Sequence, residues 1–331
     1  MQQTIIGGTN RVTTRLGYGC SSLMGGMGRK ESLGVLEVAF EAGVRHYDVA
    51  PMYGYGEAER CLGEFLQRHP GQVTVTTKYG IPPAKGKSVM GLARSMARPV
   101  IKLLPGLKQR LASVADKVTV SEERATFTAA QAKESLERSL AALRVERIDV
   151  WLLHEVTAQD LTDDGLLRLL EGQVANGTIG TFGIGSEGSK VEELLRLRPE
   201  YCRTLQYEWS VLDAKVEPSD AFRIHHRALT DNFRSLHAAL AARPQVCRRW
   251  SEVVGLNLAE AETLAKLMLK ASLVMNPESI VLFSSKRPEH IRENVRVADD
   301  ASLVGSATAL YELVQAERRE LFPDSTAAET R

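Results

Sequence analysis

The stretch of chain that decides the fold is residues 45–78, RHYDVAPMYGYGEAERCLGEFLQRHPGQVTVTTK. Its first residues, 45–49, predict a strand. A helical pattern of apolar residues follows over 57–68, and a second strand is predicted over 73–78. A strand, a helix and a further strand in this order are typical of a fold with a parallel sheet.

The same alternation continues on both sides of this stretch. Further strands are predicted over 16–19, 148–154, 181–185, 204–207, 222–226 and 279–283. Further helices are predicted over 32–41, 129–143, 163–176, 190–197, 231–240, 259–271 and 288–297. Eight strands, each followed by helical sequence, predict a closed parallel (β/α)8 TIM barrel. A small hairpin precedes it, from Thr4 to Thr13, turning on Gly7-Gly8 or Thr9-Asn10.

The competing architecture is a doubly wound open sheet. Such a sheet carries the glycine pattern G-x-G-x-x-G directly after its first strand. Here Gly17 and Gly19 are followed by Ser22 where the third glycine would stand, so the pattern fails.

One long segment interrupts the rhythm. Residues 82–126 hold several lysines and arginines together with four prolines, and they are predicted to form an extended loop. No linker or internal repeat divides the chain, so residues 1–331 are predicted to form a single domain. Residues 322–331 are predicted to be a flexible tail.

Composition excludes several classes of protein. The chain has 331 residues, 44% of them apolar, and a formal net charge of +1, which argues against a nucleic-acid binder. It has no apolar run long enough for a membrane span and no signal-peptide pattern at its start. Four widely spaced cysteines, without a CxxC pair, favour a reduced cytoplasmic protein without disulfides or structural zinc.

Polar residues are concentrated at the ends of three successive strands. Asp48 ends the second strand and Tyr53 lies in its loop, Lys78 ends the third, and His154 ends the fourth. In a barrel these ends meet at one mouth. Tyrosine can protonate the alkoxide left by hydride addition to a carbonyl, and a nearby lysine lowers the tyrosine pKa. An aspartate would hold that lysine, and a histidine would donate a hydrogen bond to the carbonyl oxygen.

Taken singly, each of these four residues also has a structural interpretation. Asp48 could cap a strand end, Lys78 could be solvated, and His154 could be a core histidine. Tyr47 or Tyr55 could be confused with Tyr53. The order of the four residues on successive strand ends favours the catalytic interpretation.

The sequence resembles the aldo-keto reductases, from Leu16 to about Val297. The resemblance lies in GVRHYDVAPMYG at 43–54, Thr77-Lys78, and DVWLLH at 149–154. It implies that Tyr53 is the general acid, that Asp48 and Lys78 tune it, and that His154 binds the carbonyl oxygen. It also implies a nicotinamide cofactor bound in an extended form across the barrel mouth, without a Rossmann fold.

The resemblance extends to candidate cofactor contacts. Gly19, Cys20, Ser21 and Asp48 would lie near the nicotinamide, and Gln206 would bind its carboxamide. Ser285, Lys286 and Arg287 precede a helix, whose N-terminus favours phosphate. They resemble the family's pocket for the adenosine 2′-phosphate, with Glu293 and Asn294 at the adenine. This favours NADPH over NADH.

Three features depart from the family. Ser186-Glu187 stands where a Ser-Asn pair is usual, so Ser186 alone would contact the carboxamide. His226, or less favourably His225, replaces the aromatic residue that stacks on the nicotinamide. Adjacent strand residues point to opposite faces, so these two histidines do not share a metal. The 82–126 segment is longer than usual and leaves the substrate open.

The sequence therefore predicts an NADPH-dependent reductase of aldehydes or ketones, or a dehydrogenase of the corresponding alcohols or sugars. The alternative is a cofactor-binding sensor or regulatory subunit with little turnover. The sequence lacks the phosphate-binding or metal-ligand signatures of a flavin-dependent or metal-dependent barrel enzyme. A small-molecule substrate is expected, without nucleic-acid or membrane partners. The sequence does not decide between a monomer and a dimer.

Overall fold

The computed structural model of the chain describes residues 1–83, 125–214, 216 and 219–322. Residues 84–124 of the predicted loop and residues 323–331 of the predicted tail lie outside the described part. Within the described ranges, every helix is too short or too polar to cross a membrane.

Strands in the described ranges form two sheets. They are β1 (Gln3–Ile5), β2 (Val12–Thr14), β3 (Leu16–Gly19), β4 (His46–Asp48), β5 (Thr74–Tyr79), β6 (Ile148–His154), β7 (Ile179–Gly185), β8 (Thr204–Glu208), β9 (Phe222–His226) and β10 (Ser279–Phe283). β1 and β2 form an antiparallel hairpin, and β3 to β10 form a closed barrel of parallel neighbours in which β10 pairs with β3. The predicted (β/α)8 TIM barrel and the N-terminal hairpin are confirmed.

The barrel is surrounded by helices. Those in the described ranges are α1 (Arg29–Glu41), α2 (Ala58–Arg68), α3 (Ala129–Leu143), α4 (Asp164–Ala175), α5 (Gly188–Leu197), α6 (Thr230–Ala241), α7 (Pro244–Val254), α8 (Ala261–Met275), α9 (Pro288–Asp299) and α10 (Val304–Leu321). Helices α7 and α10 were not predicted. The sequence carried signals for α7, because Pro244 occupies its first turn and Gly255 follows it with a φ of 75°.

Alternation along β6 shows how the strands divide their residues between two layers. Val150 and Leu152 belong to the core inside the barrel, whereas Trp151 and Leu153 pack in the layer between strands and helices. Both faces are therefore buried, which explains the almost continuous apolar run of this strand. His154 continues the inward-facing row and reaches the carboxyl end of the barrel.

The hairpin closes the other end of the barrel. Its turn lies on Gly7-Gly8, where the backbone N–H of Thr9 donates to the carbonyl of Ile6 at 3.0 Å. Ile6 is fully buried among the inward-facing apolar residues. Arg11 donates to the buried Asp149 carboxylate at 3.0 Å, so the hairpin is tied directly to β6.

We expect Gly183→Ala to destabilise the barrel strongly. A Cβ at Gly183 would overlap the carbonyl oxygen of Thr204 on the neighbouring strand, which is backbone and has little freedom to move. The free energy of unfolding, measured with urea, should fall by about 2 kcal/mol or more.

The matched control is Gly34→Ala in α1, where a Cβ has no neighbour within 4 Å. This change should raise the free energy of unfolding by about 0.5 to 1 kcal/mol because alanine is the better helix former. Equal effects of the two changes would contradict the packing argument.

Candidate active site

Side chains from the carboxyl ends of the barrel strands meet in a cavity of about 700 Å³. Asp48, Tyr53, Lys78 and His154 all line it, so the structure brings the four predicted catalytic residues together. The cavity is also lined by Gly19, Ser21, Glu155, Ser186, Glu187, Gln206, Glu208, His226, Arg227, Ser284 and Asn294. A larger groove of about 830 Å³ is lined only by residues between His237 and Ala259 and holds none of the predicted site residues.

The buried core of the site is an ion pair. Lys78 Nζ donates to Asp48 Oδ1 at 2.6 Å and to the carbonyl of Val49 at 3.2 Å. Gln206 Nε2 donates to the second oxygen, Asp48 Oδ2, at 2.7 Å. Both charged side chains are almost completely buried. Burial lowers the pKa of Lys78, but Asp48 and Tyr53 together raise it by more, so Lys78 is a cation at neutral pH.

Tyr53 lies in the short 3-10 turn Tyr53–Gly56 that follows β4. The ammonium of Lys78 is 5.6 Å from the centre of its ring. Lys78 lowers the pKa of Tyr53, as expected, but burial and the nearby Asp48 and Cys20 raise it, and the net shift is upward. Lys78 therefore acts on the pKa of Tyr53 in the direction that the sequence predicted, but burial, Asp48 and Cys20 together outweigh it.

The other two tyrosines of this region occupy different surroundings. Tyr47 is fully buried, its ring centre lies 5.0 Å from that of Phe65, and its hydroxyl donates to the carbonyl of Leu36 at 3.2 Å. Tyr55 is not among the lining residues of the cavity. Tyr53 is therefore the tyrosine that can meet a substrate there.

His154 lines the cavity as a neutral ring. Burial, followed by the positive charge of Lys78 and by His226, lowers the pKa of His154 to about 3. Its Nδ1 is buried and has no hydrogen-bond partner among the described residues. A neutral imidazole at this place can donate one hydrogen bond without adding a second positive charge.

The two adjacent histidines of β9 point to opposite faces. His226 lines the cavity, whereas His225 is fully buried and packs edge-on to Tyr207, with ring centres 4.9 Å apart. His226 is thus the histidine placed to contact a ligand in the cavity. Burial, Lys78 and Arg227 lower its pKa to about 4, so it is also neutral.

Predicted nicotinamide contacts divide into two groups. Gly19, Ser21 and Ser186 line the cavity, as does Gln206. Ser186 is held in place, because its hydroxyl donates to the carbonyl of Val156 at 3.3 Å. Cys20 is fully buried outside the lining, and its backbone N–H already donates to the carbonyl of Asp48 at 2.8 Å.

The predicted phosphate and adenine contacts surround the start of α9. Ser285, Lys286 and Arg287 precede this helix outside the cavity lining, and Lys286 and Arg287 are exposed. Arg287 Nε binds Glu289 at 2.6 Å. Asn294 reaches the cavity, whereas Glu293 is bound to Lys266 at 2.8 Å and to Arg296 at 2.6 Å.

The cavity also contains residues that the sequence did not single out. Glu208 and Arg227 form an ion pair at 2.6 Å, and Ser284 faces Ser22 with hydroxyl oxygens 3.3 Å apart. The positions of Glu208, Arg227 and Ser284 relative to the strands could have indicated that they line the cavity. Glu208 lies two residues after Gln206 on the same strand face, and Arg227 and Ser284 directly follow strands.

The sequence profile of the Aldo/keto reductase family matches residues 15–231. This chain belongs to that family. The match covers the strands that carry Asp48, Lys78 and His154, and it ends in the first turn of α6.

Two characterised relatives share part of this sequence. Pyridoxal 4-dehydrogenase from Microbacterium luteolum is 28% identical over 65% of this chain and 65% of its own length. D-threo-aldose 1-dehydrogenase from a Pseudomonas species is 33% identical over 52% of this chain and 49% of its own length. The matched segments therefore span about two thirds of the first relative and about half of the second.

Solved structures resemble the fold over nearly the whole chain. An aldo-keto reductase from Bacillus halodurans, in its holo form, has a TM-score of 0.65 at 17% identity, covering 94% of this chain and 96% of the other. An aldo-keto reductase from Klebsiella pneumoniae in complex with NADPH has a TM-score of 0.59 at 17% identity, with coverages of 94% and 95%. At this identity the likeness concerns the fold.

We expect the protein to lose stability as the pH falls from about 6.5 to about 4. Burial is the main cause that lowers the pKa of His46, His154 and His225 to about 3 and that of His226 to about 4. Histidine in an unfolded chain titrates near pH ~6.5. Between these values the unfolded chain binds more protons, so the histidine contribution is complete above about pH 6.5 and is lost on acidification.

His225→Phe isolates one of these groups. Neither ring nitrogen of His225 has a hydrogen-bond partner among the described residues, so phenylalanine forfeits no hydrogen bond. The slope of unfolding free energy against pH should become shallower by up to about 1.4 kcal/mol per pH unit. His290→Gln, at an exposed position, should keep the original slope. An unchanged slope in His225→Phe would show that this ring does not contribute.

Proposed function

We propose that this chain transfers hydride between NADPH and the carbonyl carbon of an aldehyde or ketone, with Tyr53 as general acid. In the reverse direction it would oxidise the corresponding alcohol or sugar with NADP⁺. One observation carries the proposal: the buried cation of Lys78 lies between the Asp48 carboxylate and the ring of Tyr53, at the cavity that His154 also lines.

The proposed reaction needs a proton at the carbonyl oxygen as hydride reaches the carbonyl carbon. Tyr53 donates its phenolic proton to that oxygen and becomes a tyrosinate. Lys78 stabilises the tyrosinate because its positive charge is 5.6 Å from the ring centre. Asp48 keeps Lys78 charged and fixes its position through the 2.6 Å hydrogen bond.

His154 has a separate role in this scheme. As a neutral imidazole it donates a hydrogen bond to the carbonyl oxygen, which orients the substrate and supports the developing negative charge. A protonated imidazole would compete with Tyr53 as an acid, so the low pKa of His154 keeps the two roles apart.

The residues present fit a nicotinamide dinucleotide. When bound, this cofactor supplies or accepts the hydride. Ser186 and Gln206 offer polar groups in the cavity, His226 offers a flat ring, and Asn294 lies on its wall. The exposed cations Lys286 and Arg287 at the start of the twelve-residue helix α9 suit the 2′-phosphate of NADPH.

Broader features of the proposal follow from the same observations. The chain would act as a single-domain enzyme on a small molecule. The four cysteines are free and buried, which agrees with the reduced conditions of the cytoplasm. The relatives that act on pyridoxal and on an aldose support a small carbonyl or hydroxyl compound as substrate.

Replacing Tyr53 tests the general acid. Tyr53→Phe should reduce kcat/KM for carbonyl reduction about 10²-fold to 10⁴-fold, because the ring remains but the proton does not. NADPH binding, followed by quenching of protein fluorescence, should change little. A panel of small aldehydes and ketones with NADPH supplies the assay.

Tyr55→Phe is the matched control, since Tyr55 lies two residues away but outside the cavity lining. It should retain activity. Full activity in Tyr53→Phe would overturn the mechanism. Tight NADPH binding without turnover of any carbonyl by the unaltered protein would instead favour the sensor.

Replacing Lys286 and Arg287 together by alanine tests the choice of cofactor. NADPH affinity should fall about tenfold or more, because two cations near the 2′-phosphate are lost. NADH affinity should change little, as NADH lacks that phosphate. The control is Arg292→Ala, another exposed cation on α9. Equal losses for the two cofactors in the double variant would refute the 2′-phosphate assignment.

A further inference from the structure

At the rim of the cavity, Glu208 and Arg227 form an ion pair that the proposed reaction does not use. Glu208 is the last residue of β8, and Arg227 directly follows β9. Glu208 Oε1 and Arg227 Nη1 are 2.6 Å apart. Both residues line the same cavity as Tyr53.

The backbone at Arg227 is unusual. Its φ is 58°, in the left-handed region that glycine and asparagine enter most readily. An arginine there carries a backbone cost of about 1 kcal/mol, and such residues are concentrated at functional sites. The conformation is therefore a second, independent observation that points to a functional role for Arg227.

The charge of Arg227 acts on two other cavity residues. Lys78, burial, Asp48 and Cys20 have the larger effects on the pKa of Tyr53, and Arg227 adds to the downward effect of Lys78. On the other wall, Arg227 lowers the pKa of His226, after burial and Lys78.

Seven of the eight barrel strands, or the turns that follow them, contribute charged or titratable groups around Tyr53. These are Cys20 after β3, Asp48 on β4, Lys78 on β5, His154 and Glu155 at the end of β6, Glu187 after β7, Glu208 on β8, and His226 and Arg227 at the end of β9. Asp48 and Lys78 compensate each other, and Lys190 binds both Glu155 and Glu187, at 3.0 and 3.3 Å. Among the described residues, Arg227 is thus the cation on the rim that is paired with Glu208.

We propose that the Glu208–Arg227 pair sets how readily Tyr53 gives up its proton. Arg227 supports the tyrosinate as a second cation beside Lys78, and Glu208 limits that support. The two are positioning residues that act through Tyr53. This inference rests on the proposed role of Tyr53 as general acid.

The size of the effect follows from exposure. The side chains of Arg227 and Glu208 are 55% and 44% exposed, so solvent screens their fields, unlike that of the buried Lys78. We expect each charge to move the titration of Tyr53 by about half a pH unit.

The test uses opposite charge changes in the full-length protein. Reduction requires protonated Tyr53, so activity falls as the pH rises through its pKa. Arg227→Gln removes the cation and leaves Glu208, so the alkaline fall in kcat/KM should move upward. Glu208→Gln should move it downward by a similar amount. The double variant should return close to the original profile, and Arg227→Lys, which keeps the charge, should also remain close to it.

Arg203 and Glu171 provide a matched control pair. They are 2.7 Å apart, their side chains are 43% and 50% exposed, and neither lines the active-site cavity. Arg203→Gln should leave the pH profile unchanged. Increasing ionic strength should reduce the shifts at Arg227 and Glu208, because both side chains are partly exposed.

Three outcomes would overturn the inference. The first is an unchanged alkaline limb in both single variants. The second is a shift of the same sign in both. The third is a loss of NADPH affinity in Arg227→Gln without any shift, which would assign Arg227 to the cofactor diphosphate. Each differs from failure of the proposed function, which would appear as full activity in Tyr53→Phe.

Discussion

The buried ion pair between Lys78 and Asp48 is the interaction on which the rest of the site depends. Moving two charges out of water is costly, and removing one partner of such a pair typically destabilises a protein by about 3 to 5 kcal/mol. The cost is offset here by additional hydrogen bonds from Gln206 to Asp48 and from Lys78 to the carbonyl of Val49. The ion pair therefore fixes the ends of β4 and β5 relative to each other and holds the Gln206 side chain of β8.

The pair also determines the charge state of its neighbours. Lys78 lowers the pKa of Tyr53 and that of His154, with opposite consequences for their roles. At Tyr53 the positive charge favours the tyrosinate that remains after the proton is released. At His154 it keeps the ring neutral, so this ring remains a hydrogen-bond donor. Burial, Asp48 and Cys20 together raise the pKa of Tyr53 by more than Lys78 lowers it, and Arg227 on the rim adds a smaller lowering effect.

The sequence predicted much of this arrangement because strand ends and catalytic residues have local signals. The bounds of β3, β6, β9 and β10 and of α3 agree with the prediction to the residue. The helix α10 was missed, although its buried Leu310 and Val314 pack with Trp250 in a second core. That core is formed by residues that are distant in the chain. Periodicity within one segment does not predict such a core.

By itself, the sequence determined the order of strands and helices and the residue types at each strand end, since hydrophobic periodicity and chain order are local properties. Only the tertiary structure decided that Cys20 is buried outside the cavity, that Glu293 is bound to Lys266, and that Glu208 meets Arg227 across two strands. Closure of the barrel sets the inward direction of each strand and the distances between strand ends. Those distances decide which charges meet and how strongly each is desolvated.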